Sequence, residues 1–145
     1  MKRFLLFLLL ISLISNCKKE KVEEVEDPCS CSKGINCTME YRSVGVTIKN
    51  QSGLSISLDN YYTTKILTGE KISLKSSEFD SLRRISGRYP VLGDGQKKLT
   101  EKCGTDFEFT GIKNGMEIVK QRYSIGHDCC HVKILSGDPN ITIPD

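Results

Sequence analysis

The residues best equipped for chemistry lie in one run of five, His127-Asp128-Cys129-Cys130-His131, which holds both histidines of the 145-residue chain. Thiolates and imidazoles suit zinc and Cu(I), so His127, Cys129, Cys130 and His131, with help from Cys29, Cys31 and Cys37, form a candidate soft-metal set. Spacing opposes that reading. Successive residues of a strand point to opposite faces, so Cys129 and Cys130 do not reach one tetrahedral centre unless the strand breaks there. Recurrent zinc pairs separate their ligands by two or more residues, whereas here the separations are none and one. Nucleophilic catalysis is served no better, because both histidines belong to the cysteine cluster. No Gly-x-Ser-x-Gly, phosphate-binding loop or zinc-helix motif occurs. Glu101 and Asp106 read as solvated turn charges. The sequence therefore predicts no catalytic residue, no enzyme and no cofactor.

The state of those thiols depends on the compartment, and the beginning of the chain bears on it. Lys2 and Arg3 precede an apolar run from Phe4 to Ile14, followed by Ser15-Asn16-Cys17. A positive start, an apolar run of roughly 7 to 15 residues and small or polar residues after it make a secretory signal, too short for a lasting membrane span. The segment Leu13-Ile14-Ser15-Asn16-Cys17 resembles the lipobox of Gram-negative bacterial lipoproteins, with Asn16 where that family prefers Gly, Ala or Ser. The resemblance implies that residues 1–16 are removed as a signal peptide. Cys17 then takes a diacylglycerol on its sulfur and a fatty acyl chain such as palmitate on its nitrogen. Several chains hold a protein on a membrane far better than one.

Residues 17–28 then form the lipidated cysteine and a flexible tether, since KKEKVEEVEDP is too charged and too poor in apolar surface to order itself. Lys18 occupies the position where Asp is associated with inner-membrane retention, which implies the outer membrane. The acidic cluster Glu23, Glu24, Glu26 and Asp27 loosely resembles the export tags of surface lipoproteins. The expected location is the outer membrane, on its periplasmic face or at the cell surface. Taking the two charges of Lys2 and Arg3 from the chain's +3 leaves +1, which offers nucleic acid no basic surface.

With Cys17 acylated, six cysteines remain in an oxidising compartment: Cys29, Cys31, Cys37, Cys103, Cys129 and Cys130. An even number in that setting predicts up to three disulfides. Cys129 and Cys130, facing opposite ways, should take different partners. The parity of Cys130 with Val132 and Ile134 suggests Cys103 with Cys130. Cys129 would then bridge to one of the N-terminal three, and the remaining two would close locally.

Residues 29–145 must supply the scaffold. Val44, Val46 and Ile48 alternate with polar residues, as do Leu54, Ile56 and Leu58, which is the two-residue period of half-buried strands. Further strands are expected at Tyr62 to Leu67, Lys71 to Leu74, Tyr89 to Leu92, through Phe107 and Phe109, over Met116 to Ile125, over Cys130 to Ile134 and at Ile141 to Ile143. Asn114-Gly115 predicts a two-residue hairpin turn, and the broken phase after Met116 predicts a bulge. Gly93-Asp94-Gly95 reads as a turn. Ser77 followed by Asp80 predicts a capped helix, with Phe79, Leu82 and Ile85 on its inner face, Arg83 and Arg84 facing away, and Gly87 closing it.

Seven to nine short strands with turns between them predict a single all-β domain, a disulfide-stapled β-sandwich with one short helix. This layout resembles the small immunoglobulin-like or transthyretin-like domains of bacterial lipoproteins. Tyr61, Tyr62, Arg83, Arg84 and Arg88 form a candidate binding patch for a protein or an acidic glycan. The expected function is thus a lipid-anchored, non-catalytic binding or envelope-assembly module. The alternative is an envelope metal-binding or redox protein using the Cys/His cluster.

Overall fold

The computed structural model describes residues 27–145, so the expected signal peptide, Cys17 and most of the expected tether lie outside the described residues. Eight strands form two sheets: β1 (Ser43–Asn50), β2 (Asn60–Lys65), β3 (Lys71–Ile72), β4 (Arg88–Gly93), β5 (Thr105–Lys113), β6 (Met116–His127), β7 (Val132–Ser136) and β8 (Asn140–Ile143). One sheet runs β4-β1-β8 and the other β3-β2-β5-β6-β7. All pairs are antiparallel except β1 with β8. The two sheets make an all-β sandwich. Among the described residues no helix is long and apolar enough to cross a membrane.

The core lies between the sheets. Val46 and Ile48 of β1, with Tyr89, Val91 and Leu92 of β4, face Tyr61 of β2, Phe107 and Phe109 of β5, and Val119, Tyr123 and Ile125 of β6. Buried polar groups join the layers: Thr63 Oγ1 of β2 donates to the carbonyl of Val91 in β4 at 2.7 Å. Asn114 and Gly115, with φ of 51° and 75°, make the expected hairpin between β5 and β6. The expected bulge is there too. Gly111 pairs with Val119 and Ile112 with Glu117, so Ile118 is the extra residue, and beyond it Val119, Tyr123 and Ile125 share the core face.

Three expectations give way. Leu54 to Leu58 is no strand: a single bridge joins Ser55 to Lys49, and the segment crosses from one sheet to the other. Burial does not alternate along it but rises from exposed Leu54 to buried Leu58, where a side chain holds the backbone: Tyr89 Oη accepts from Leu58 N at 2.7 Å and donates to Ile56 O at 2.9 Å. The turn at Gly93-Asp94-Gly95 is instead the start of a 3-10 helix, Asp94–Leu99. Helix α1 (Asp80–Ser86) is not capped by Ser77, and it is turned over relative to the expected orientation. Phe79, Leu82 and Ile85 are 47, 63 and 76% exposed, while Arg83 is half-buried. Gly87 does close the helix, at φ 66°. A side chain there would strike the carbonyl of Ile48, 2.6 Å from the Cβ position.

Strand direction gives the sandwich two ends. β1 and β5 start, and β2, β4 and β6 finish, at the end that carries all six described cysteines. At the other end lie the Asn114-Gly115 hairpin, the turn from Asn50 to Leu54, and α1. Contacts place α1 there: Ile48 N donates to Gly87 O at 2.8 Å, and Lys75 Nζ, just before the helix, donates to Asp59 O at 3.3 Å.

Candidate functional site

At the cysteine end, residues 27–42 form no strand and are mostly exposed, and three disulfides fasten them to the sandwich. Cys29 joins Cys103, Cys31 joins Cys129 and Cys37 joins Cys130, across separations of 74, 98 and 93 residues. Cys129 does bridge to the N-terminal three, and Cys129 and Cys130 do part company. The expected Cys103–Cys130 pair and the local N-terminal closure are incorrect, because every N-terminal cysteine reaches into the second half of the chain. The parting of Cys129 from Cys130 also has another cause than strand alternation, since β7 begins only at Val132. Asp128 folds the run into a tight turn. Its Oδ1 accepts from Cys130 N at 3.0 Å and His131 N at 2.7 Å, its own N–H donates to His131 O at 3.0 Å, and Cys129 sits at φ 78°.

That turn separates the four candidate metal ligands. His131 is buried; its Nδ1 donates to Asp94 Oδ2 at 2.8 Å, and its Nε2 lies 3.1 Å from Thr38 Oγ1. Asp94 also accepts from Arg42 N at 2.7 Å and Val132 N at 2.8 Å, tying the N-terminal segment to β7. Burial alone would push the Asp94 carboxyl up, but the bonds from His131, Arg42 and Val132 hold it below the usual carboxylate range. Asp128 is held low in the same way, chiefly by the His131 N–H. With both ring nitrogens engaged and Cys130 bridged to Cys37, His131 and Cys130 belong to no common site with His127.

His127 belongs to a different group. Its Nδ1 accepts from Cys129 N at 3.1 Å, and its ring lies within 4.8 Å of the sulfurs of both Cys31 and Cys129. Partial burial, then the charge of Lys97, then those of Lys102 and Lys133 against Asp128, hold its pKa below the ordinary histidine value. Lys97 Nζ donates to the carbonyls of Cys129 at 2.7 Å and Cys130 at 3.2 Å, and Lys102 Nζ to Ser30 O at 2.7 Å. The Cys31–Cys129 bridge occupies both thiolates that a metal would require.

At the other end, the expected patch of Tyr61, Tyr62, Arg83, Arg84 and Arg88 is divided between interior and surface. Neighbours on β2, Tyr61 and Tyr62 point to opposite faces. Tyr61 is only 3% exposed, and its hydroxyl donates to Asp80 Oδ1 at 3.0 Å. Arg83 reaches inward, its NH1 donating to Tyr61 Oη at 2.6 Å, Leu74 O at 2.9 Å and Asp80 Oδ1 at 3.0 Å. Burial, reinforced by the bond to Asp80, pushes Tyr61 up to about 12. Burial raises Asp80 but is outweighed by the bonds from Tyr61 and Arg83, which leave it low. Tyr62 lies on the outer face of its sheet, under Lys71 Nζ at 4.4 Å from the ring centroid. Arg84 and Arg88 remain exposed.

What replaces the patch is the outward face of α1. Phe79, Leu82 and Ile85 present an apolar stripe with Arg84, Arg88 and Lys75 beside it. Leu54 is exposed in the neighbouring turn, where Ser55 packs against Gly87. Reasoning from sequence missed this face and the roles of Asp94, Lys97 and Asp128. Asp128 alone left a signal, as a turn-forming residue before adjacent cysteines. Comparison with known proteins finds no family model, no curated sequence and no solved structure that matches the chain.

Proposed function

We propose that the protein is a lipid-anchored, non-catalytic envelope module that stands off the membrane and binds a partner protein through the outward face of α1. The observation that carries this reading is the inverted helix. Two of its three charged residues, Asp80 and Arg83, turn inward while Leu82 and Ile85 turn outward, at the end of the sandwich opposite the one where the described chain begins. Contiguous apolar surface exposed by a folded domain commonly marks an interaction site. The described chain enters at the opposite end of the sandwich, and the occupant proposed for this face is a protein with an apolar patch rimmed by carboxylates to meet Arg84 and Arg88. The outer membrane, on either leaflet face, is the location this reading requires.

The anchor is tested by the mass of the mature N-terminus and by Cys17→Ser. Wild type is expected to begin at Cys17 with three acyl chains and to sediment with membranes, and C17S to be released. A mature chain without lipid at Cys17 would overturn the anchored reading.

A further inference from the structure

We infer that Cys31–Cys129 is a thiol–disulfide exchange site, with His127 beside it and an external dithiol as its substrate class. This goes beyond the binding reading and does not depend on it. Three features mark this bridge, and the other two bridges lack the first and the third. First, only it has an imidazole within 4.8 Å of its sulfurs that is not held at both ring nitrogens. The histidine next to Cys37–Cys130 has both nitrogens engaged, by Asp94 and Thr38. Second, its surroundings are electropositive. Lys97 sits on the Cys129 carbonyl and Lys102 on that of Ser30, Lys133 adds to the field at His127, and the opposing Asp128 carboxylate is occupied by two backbone N–H groups. Thiolates form readily in such partly exposed, cationic surroundings. Third, Cys129 holds φ at 78°, a left-handed conformation that costs energy for a residue with a Cβ.

The chemistry has a direction. Cys31 is exposed and Cys129 half-buried, so the thiolate of a dithiol attacks Cys31 Sγ. The Cys31–Cys129 bond breaks, a mixed disulfide forms at Cys31, and Cys129 leaves as a thiolate stabilised by the lysines. A leaving group of low pKa departs faster. The second thiol of the reductant then displaces Cys31. Two electrons pass to the protein, the reductant closes its own disulfide, and its two thiol protons end on Cys31 and Cys129, with the His127 imidazole relaying the one to Cys129.

Exposure alone predicts a different order, because Cys29 and Cys103 are both exposed while Cys129 is not. The test uses the oxidised, folded protein with limiting dithiothreitol, followed by alkylation and peptide mass spectrometry. Cys31 and Cys129 are expected to be labelled together, on the order of tenfold sooner than either other pair. With glutathione as the probe, the mixed disulfide is expected on Cys31. His127→Asn and Lys97→Gln should each slow this opening several-fold and leave Cys29–Cys103 unchanged, which also reports that the fold is intact. Opening of Cys29–Cys103 first, equal rates for all three bridges, or glutathione on Cys129 would overturn the assignment.

Discussion

The two ends of this sandwich solve the same problem by different means. At the cysteine end an irregular segment, residues 27–42, is fastened by three covalent bridges and by Asp94. At the helical end a short segment with no buried residue of its own is fastened by one polar cluster, Asp80, Arg83 and Tyr61, beneath it. A segment stapled through its cysteines needs no apolar face, and residues 27–42 have none directed at the core. A helix held through its charged side is released from burying its apolar one, and α1 turns that side to solvent. The lesson is that amphipathicity gives a helix two faces without saying which of them is the inner one.

The contrast predicts an order of stabilities. Reducing all three bridges should cost the most, at least about 4 to 5 kcal/mol on the scale the chain-entropy account gives for closing a first loop of about a hundred residues, read from the shift of the urea midpoint. Next comes Arg83→Met, which leaves Asp80, the Leu74 carbonyl and Tyr61 short of a donor. A loss of about 2 to 3 kcal/mol is expected, with exchange of α1 amide protons rising before that of β5 and β6. A loss below 0.5 kcal/mol would mean that α1 is held by something else. Asp94→Ala deprives Arg42 N, Val132 N and His131 of an acceptor and should cost about 2 kcal/mol by the same measurement.

Acid should weaken both ends. Asp80, Asp94 and Asp128 all have folded pKa values below the ordinary 3.8, so the unfolded chain takes up their protons first. Their contribution is whole above that value and drains away as the pH falls through it toward the folded pKa values. His127, held below 6.5, adds a loss that starts as the pH drops under that value. Urea midpoints measured from pH 7 down to pH 3 should fall throughout, and Asp94→Asn should flatten the lowest part of the curve. The smallest effect on stability belongs to Ile85→Asp, within about 0.5 kcal/mol, because the side chain it replaces is exposed.

Much of the scaffold was legible because its signals are local. The alternation of Val44, Val46 and Ile48, the turn at Asn114-Gly115, the helix stop at Gly87 and the broken phase around Ile118 each follow from a few neighbouring residues. What escaped depends on contacts across the chain. Parity along one strand says nothing about which distant cysteine arrives beside Cys130. The spacing of Phe79, Leu82 and Ile85 defines a stripe, but its outward direction is decided by Tyr61, some twenty residues away, whose hydroxyl needs Asp80 and Arg83. Asp94 looked like a turn residue because its partners, Arg42, His131 and Val132, lie about 40 to 50 positions off.

The central claim, that the partner meets the end opposite the anchor, is tested most directly by photocrosslinking in intact cells. A photoreactive residue is placed either at Leu82 on α1 or at Lys33 in the stapled segment. A discrete crosslinked protein is expected from Leu82 that disappears with Ile85→Asp, and none from Lys33. A crosslink from Lys33 alone, or one from Leu82 that survives Ile85→Asp, would contradict it.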